Sequence, residues 1–335
     1  MKRKIFNKYF GYAVLATTML TIAIKIHSLL TFPAITDWNY HQLKRINEKT
    51  DDYSFAVFGD NKNSITTFNG LVRKLNKDDV IFAIDVGDLV QDGANEKFRF
   101  FINQIRNLNR PLLTVIGNHD IREDGRANYY RMFGRYYYSF PISSAYFIIL
   151  DDANEKGLEA WQMDWLEDEL KKGQDYKYRF VFMHVPLYDP RKGEHKKGHG
   201  LEDLSFAKRL NELFDTSHVT MLFASHIHAY YRGYWRKTPY IITGGAGAEL
   251  GGIDPKHYFY HYILVNVSNA GVSYEIKKLK SPDFELIDRL IHDAWIYIYA
   301  FVAIHFLDVI IILGVGYVGL YIILNQNKLK VIRKR

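Results

Sequence analysis

The sequence predicts an α/β fold in which two sheets pack face to face between layers of helix. Three observations carry that prediction. Up to residue 226, short apolar β-rich runs alternate with helical stretches, as in strand–helix–strand units. From Tyr230 onward the helices give way to four successive strand-like runs, at 231–235, 239–245, 261–268 and 272–279, with a turn at Asn269–Gly271. Five of the earlier runs lead into Asp, Asn or His residues, and ligands in α/β sheets gather at the carboxyl ends of strands.

The elements follow in order. Residues 54–60 form a strand and 65–76 a helix. Residues 80–88 form the second strand, and 96–108 a helix with apolar period near 3.6. A strand over 112–120 precedes a Tyr-rich stretch, 129–140, and another strand, 145–152. A helix over 158–172 places Leu158, Trp161, Trp165, Leu166 and Leu170 on one face. Strand 178–184, helix 203–215 and strand 219–226 complete the alternating part.

The metal-ligating residues sit at Gly59-Asp60, Gly87-Asp88, Gly117-Asn118-His119-Asp120, His184 and Ser225-His226-Ile227-His228. Carboxylate, amide oxygen and imidazole donors together suit Mn, Fe or Zn better than Ca or Mg. The chain has no cysteine, which excludes disulfides and thiolate sites.

This series resembles the calcineurin-like metallophosphoesterases over roughly residues 53–275. The resemblance implies an αββα sandwich of two mixed sheets flanked by helices. It also implies a dinuclear centre with Asp88 as the bridge, Asp60 and His228 on one metal, and Asn118, His184 and His226 on the other. Two cations about 3.5–4 Å apart lower the pKa of a water shared between them, which then attacks phosphorus. His119, beside a ligand, is the candidate for protonating the leaving group or stabilising the transition state, and Asp120 either orients it or caps the following turn. Two departures stand out. Lys62 stands where the family often has a metal-binding His, and Ser225 replaces a Gly. An ammonium has no lone pair, so Lys62 either binds a phosphate oxygen or points to solvent. Asn63 is a second candidate substrate contact. Gln91 stands where the purple acid phosphatase branch has a Tyr.

Two further segments border the motifs. The basic run Arg191–His199 either attracts an anionic substrate or is a solvated loop; His195 and His199 are left out of the metal shell. Thr243–Gly247 either cradles a phosphate through backbone N–H groups or is a tight turn near the site; it lacks the strand–helix setting of a nucleotide loop and reads as the turn.

The ends are apolar. Residues 10–24 follow Lys2, Arg3, Lys4 and Lys8, and read as an uncleaved anchor or a signal peptide; the absence of a small-x-small site favours the anchor. Residues 295–324 are long enough to span a bilayer, with Trp295, Tyr297 and Tyr299 at one edge and Lys328, Lys330, Arg333, Lys334 and Arg335 beyond the other. A second reading lays the first part, through Asp308, flat at the interface. The basic flanks place both termini in the cytoplasm and the domain outside it. The organisation is thus a tip and anchor over 1–35, a juxtamembrane helix or linker over 36–52, the metallophosphoesterase domain over 53–280, a juxtamembrane segment over 281–294, a span over 295–324 and a basic tail over 325–335.

The net charge of +7 lies largely at the ends, so no nucleic-acid partner is expected. The function this supports is a membrane-anchored hydrolase of a phosphomonoester or phosphodiester, with a lipid-linked substrate suggested by the anchors at both ends. The alternatives are a non-catalytic metal-binding scaffold and a nucleotide or cyclic-nucleotide hydrolase.

Overall fold

A computed structural model describes residues 2–31, 35–46, 52–194, 196–281 and 286–332. The chain divides into two compact units, Ile35–Tyr297 and the two ends, Met1–Ala34 with Ile298–Arg335.

The larger unit holds two mixed sheets. The first runs β11(Gly271–Lys278), β10(His261–Ser268), β1(Tyr53–Phe58), β2(Phe82–Asp85) and β3(Leu112–Thr114). Strands β1, β2 and β3 are parallel; β10 and β11 are antiparallel additions. The second runs β4(Tyr138–Ile142), β5(Ala145–Ile149), β6(Tyr178–Phe182), β7(Met221–Ala224), β9(Thr238–Thr243) and β8(Tyr230–Trp235), with β5, β6, β7 and β9 parallel.

Alternation along each strand builds the layers. Phe55 and Val57 of β1 turn inward with Phe82, Phe147, Phe180 and Phe223 into the core between the sheets. The rings of Phe55 and Phe180 meet edge-on at 5.3 Å. Phe58, on the other face of β1, meets Phe68 of α3(Thr66–Leu75), which stacks on Phe101 of α4(Asn95–Ile105). Behind the second sheet, Val181 and Leu222 pack with Leu166 of α6(Ala160–Lys172) and Leu210 of α7(Leu204–Thr216). Central strands are therefore buried on both faces, which is why they read as unbroken apolar runs.

The structure differs from the sequence expectations at one place and fills in two others. The helix predicted over 158–172 starts at Ala160, and Trp161 is 64% exposed. Its buried face is Met163, Leu166 and Leu170 with Gln162 and Glu169; at 100° per residue Trp161 lies far from that arc. The Tyr-rich stretch divides between α5(Gly125–Phe133) and β4. Residues 36–52, expected as a juxtamembrane helix or linker, do contain a helix. Their short helix, α2(Trp38–Leu43), covers the edge strand β3: Asn39 Oδ1 accepts from Thr114 N at 2.9 Å, and Trp38 Nε1 donates to Leu112 O at 2.8 Å.

In the smaller unit, α1(Lys2–Thr31) lies beside part of α8(Leu286–Ile332). Two helical segments, Tyr9–Leu30 and Leu290–Ile323, are long and apolar enough to cross a membrane. A Cβ on Gly314 would stand 1.8 Å from Thr18 Oγ1, so glycine permits the close approach there; Gly316 and Gly319 face nothing within 4 Å. The backbone of α8 leaves helical geometry at His305.

Candidate metal centre

Every predicted ligand follows the carboxyl end of a strand: Asp60 after β1, Asp88 after β2, Asn118 after β3, His184 after β6, and His226 and His228 after β7. The turns are tight. Asp60, Asp88, His226 and His228 have φ of 60°, 58°, 67° and 51°, in the left-handed region that residues with a Cβ enter only when their surroundings impose it. Gly117 is required by proximity, since a Cβ there would lie 2.2 Å from Asp88 N.

Ligand atoms of Asp60, Asp88 and His228 all lie within 4.8 Å of one another. A second group shares Asp88. Its Oδ1 is 3.3 Å from His184 Nε2, while Asn118 Oδ1 is 3.0 Å from His184 Nε2 and 3.2 Å from His226 Nδ1. Hydrogen bonds from behind fix the donors. His184 Nδ1 donates to Val86 O at 2.9 Å, so its Nε2 faces the centre with a lone pair. His228 Nδ1 donates to Glu249 O at 2.7 Å, with the same result. Asn118 Nδ2 donates to Glu155 Oε1 at 2.8 Å, which turns Oδ1 inward. Ser225, the residue in place of Gly, donates its hydroxyl to the same Val86 carbonyl at 2.8 Å.

Both carboxylate oxygens of Asp60, and Oδ2 of Asp88, are buried without a hydrogen-bond partner. Such oxygens are costly to bury unless a cation takes them. Burial, with the neighbouring Asp88 charge, pushes the Asp60 carboxyl well above its usual range. Burial acts on Asp88 in the same direction, but His184, Lys62 and His119 outweigh it and hold its carboxyl low. Burial, with Lys62 nearby, lowers His228 to about 4, and burial with His184 lowers His226 well below its ordinary value. His226 and His228 are thus neutral at neutral pH, as ligands must be. The donors fit two ions: Asp60, Asp88 and His228 for one, Asp88, Asn118, His184 and His226 for the other.

Lys62 turns into the centre rather than to solvent. Its Nζ is 3.7 Å from Asp88 Oδ2 and 3.8 Å from Glu249 Oε1, and the residue is 6% exposed. His119 also faces the centre, with Nε2 4.0 Å from Asp88 Oδ2. Two assignments need correction. Asp120 does not orient the His119 ring; its carboxylate accepts from the backbone N–H groups of Gly117, Asp88 and Val90, tying two ligand loops together. The ring is held instead by Gln91 O, 2.7 Å from Nδ1. Asn63 is fully buried and not a substrate contact: Nδ2 donates to Lys97 O, and Oδ1 accepts from Gln91 N.

The centre opens into a polar cavity of about 550 Å³ lined by Lys62, Asp88, Asn118, His119 and His226 among others. Arg191 and His199, from the basic run, also line it, as do Glu249, Glu155 and Arg122, which no sequence motif marks. None belongs to a ligand motif; they arrive through loops whose paths a periodic pattern does not encode. Arg191 does face the cavity, though Asp189 pairs with its guanidinium at 2.8 Å. His195 lies outside the described residues. The turn at Thr243–Gly247 abuts Asp60: a Cβ on Gly244 would lie 2.3 Å from Asp60 Oδ2, and Ala246 N bonds Gly59 O. That N–H is therefore used within the fold rather than for a phosphate.

Two mixed sheets between helices, with a carboxylate–imidazole centre at the strand ends, define a metallohydrolase scaffold. The chain belongs to the calcineurin-like phosphoesterase family, whose family model matches residues 53–230, just over half of its 335 residues. Among curated proteins it is 25% identical over 201 residues to "Serine/threonine-protein phosphatase CPPED1" of Homo sapiens, covering 54% of this chain and 63% of that protein. It is 27% identical over 221 residues to "Phosphoenolpyruvate phosphatase" of Allium cepa, covering 58% of this chain and 44% of that protein. These matches span less than two thirds of the relatives' own length. The purple acid phosphatase PPD1 of Lupinus luteus shares the fold at a TM-score of 0.53 and 16% identity, over 72% of this chain and 56% of that one.

Proposed function

We propose that this protein is a metal-dependent phosphoesterase, held in a membrane by helices at both ends, that hydrolyses a phosphomonoester or phosphodiester outside the cytoplasm. The observation that carries the chemistry is the set of buried, unpartnered oxygens on Asp60 and Asp88, with His228 beside them. When bound, the metal ions supply Lewis acidity and a nucleophile at neutral pH. The chain's own groups do the rest. Lys62 Nζ presents a positive charge to a phosphate oxygen in the cavity. His119, its Nδ1 proton committed to Gln91 O, offers Nε2 to carry a proton to the leaving oxygen. Asn118, as a neutral donor, limits the negative charge that an anionic substrate meets.

Asp88→Asn tests the reading. The folded variant is expected to bind less metal and to lose metal-dependent phosphate release; full activity with unchanged metal content would overturn it. The anchoring rests on the two apolar helices and their basic flanks. Protease added to intact spheroplasts should digest the central domain and spare tags at both ends. Digestion of the domain only after lysis would reverse the topology. The apolar segments that flank the domain in the sequence support a lipid-linked substrate, which a panel of lipid phosphodiesters and their water-soluble headgroup analogues would test; a preference for the soluble analogues counts against it.

A further inference from the structure

A second cavity, of about 630 Å³, opens beside the metal centre between α5, the start of β4 and the N-terminal end of α6. The two cavities share a wall. Ile121 lines this one and Arg122 the metal-site cavity; Asn154 lines this one and Glu155 the other. A group bound here is therefore next to a phosphate bound there.

Its mouth is aromatic. Tyr130 is 56% exposed and Trp161 64% exposed, large apolar faces left open at a cavity rim instead of packed into the core. Its floor is polar and fixed. Arg126 pairs with Asp151 through contacts of 2.6 and 3.3 Å and lies 5.2 Å from the Tyr136 ring centroid. Gln162 clamps Asp151 from behind, accepting from its N–H at 2.8 Å and donating to its carbonyl at 2.9 Å. Arg135 and Glu159 also line the cavity, and Glu159 faces the charge of Arg126.

The charges balance. Arg126 and Arg135 are offset by Asp151 and Glu159, so the cavity does not select a second phosphate. Nor do the rings form a parallel sandwich for a flat base: Tyr130 and Tyr136 are inclined at 52°, and the Tyr137 ring packs on Trp165 at 4.8 Å. An aromatic platform beside fixed guanidinium and carboxylate groups suits a sugar ring. Such a ring presents C–H bonds on its face and paired hydroxyls on its edge. The volume suffices for one or two rings.

We propose that this cavity is a subsite for a sugar ring carried on the leaving-group side of the phosphoester, with Trp161 and Tyr130 as its platform and Arg135 and Glu159 as hydroxyl partners. This rests on the phosphoesterase reading. The test compares the full chain with Trp161→Ala and Tyr130→Ala variants on hexose 1-phosphates, acyclic glycerol 2-phosphate and adenosine 5′-monophosphate. The ratio of kcat/KM for the preferred hexose phosphate to that for glycerol phosphate should fall about tenfold in each variant. Binding is read separately as quenching of tryptophan fluorescence by hexose phosphate, lost in Trp161→Phe. If none of the esters is hydrolysed but that quenching is seen, the phosphoesterase reading fails while the sugar subsite stands. An unchanged ratio, an absence of quenching by sugars, or quenching by the nucleotide alone overturns the proposal.

Discussion

The Lys62 ammonium stands between two carboxylates, 3.7 Å from Asp88 Oδ2 and 3.8 Å from Glu249 Oε1. Relative to a histidine at that position, Lys62 adds one positive charge and removes one lone pair. Glu249 returns the negative charge, 3.7 Å from His228 Nδ1. The two residues together thus keep the charge of the centre constant while changing its donors.

That relationship sets the first prediction. Lys62→His should tighten the metal position framed by Asp60, Asp88 and His228, because it supplies an imidazole. Glu249→Gln should weaken it by about 10- to 100-fold, the usual cost of losing a group that tunes a metal's ligands. Without Glu249 the ammonium is balanced by Asp88 alone and competes with the metal for Oδ2. Lys62→Ala should impair turnover and substrate affinity more than metal affinity. Calorimetric titration with Mn separates the cases. Unchanged affinity in both Lys62→His and Glu249→Gln would mean that the pair does not act on the metal.

His119→Ala should keep most bound metal and lose about 10²–10⁴-fold in rate. Its ring is fixed by Gln91 O, and its backbone N–H already serves Asp88 Oδ1 at 2.8 Å, so removing the imidazole leaves that bond in place. Metal content by elemental analysis, set beside kcat, is the measurement. Collapse of metal content with normal turnover of the loaded fraction would make His119 a ligand.

The strand ends were legible in the sequence because two signals coincide there: apolar runs buried on both faces, then donors whose chemistry is distinctive. Lys62 was legible as an oddity but not in its direction, which depends on the φ of 43° that turns it inward. Asp120 and Asn63 do work other than orienting His119 or touching substrate, for one reason. Polar residues beside ligand motifs serve backbone N–H and carbonyl groups of neighbouring loops, and those partners lie about 30 residues away in the chain: Asp120 with Val90, Asn63 with Gln91 and Lys97. Glu249 was invisible because nothing in its local sequence marks it; only the β9–β10 connection brings it to His228.

His261 supplies a pH dependence apart from the metal centre. It is fully buried, with Nδ1 2.8 Å from Phe259 O and Nε2 3.2 Å from Thr243 Oγ1. Burial lowers it from 6.5 to about 4. The unfolded chain therefore takes up this proton first as the pH falls. The stability from the neutral form is complete above pH 6.5, declines between 6.5 and about 4, and changes no further below. Its full size is about 3 kcal/mol. Urea denaturation of the full chain in detergent across that window should show the decline, and His261→Gln should flatten it. Equal slopes in the two proteins would mean that His261 does not titrate with unfolding.

The last prediction concerns the helix pair at the chain ends. Lys25 of α1 donates to Asp308 Oδ1 of α8, and His305 Nδ1 lies 3.7 Å from Asp308 Oδ2. Both charges fall within segments apolar enough to cross a membrane. In hydrocarbon an unpaired ammonium or carboxylate is costly, whereas a pair satisfies both. The break in α8 at His305 sits three residues before Asp308, where an interfacial first half of that helix would end. If both helices span the bilayer, Asp308→Leu should strand Lys25 and destabilise the helix pair by about 1–2 kcal/mol. Adding Lys25→Leu should recover most of that loss, because two apolar side chains suit the same surroundings. The measurement is thermal unfolding of the full chain in detergent and in lipid nanodiscs. A double variant no more stable than Asp308→Leu, in both media, would show that the pair lies in water and carries no membrane message. Recovery in nanodiscs but not in detergent would place the pair in the hydrocarbon region and argue against the flat, interfacial arrangement of residues 295–308.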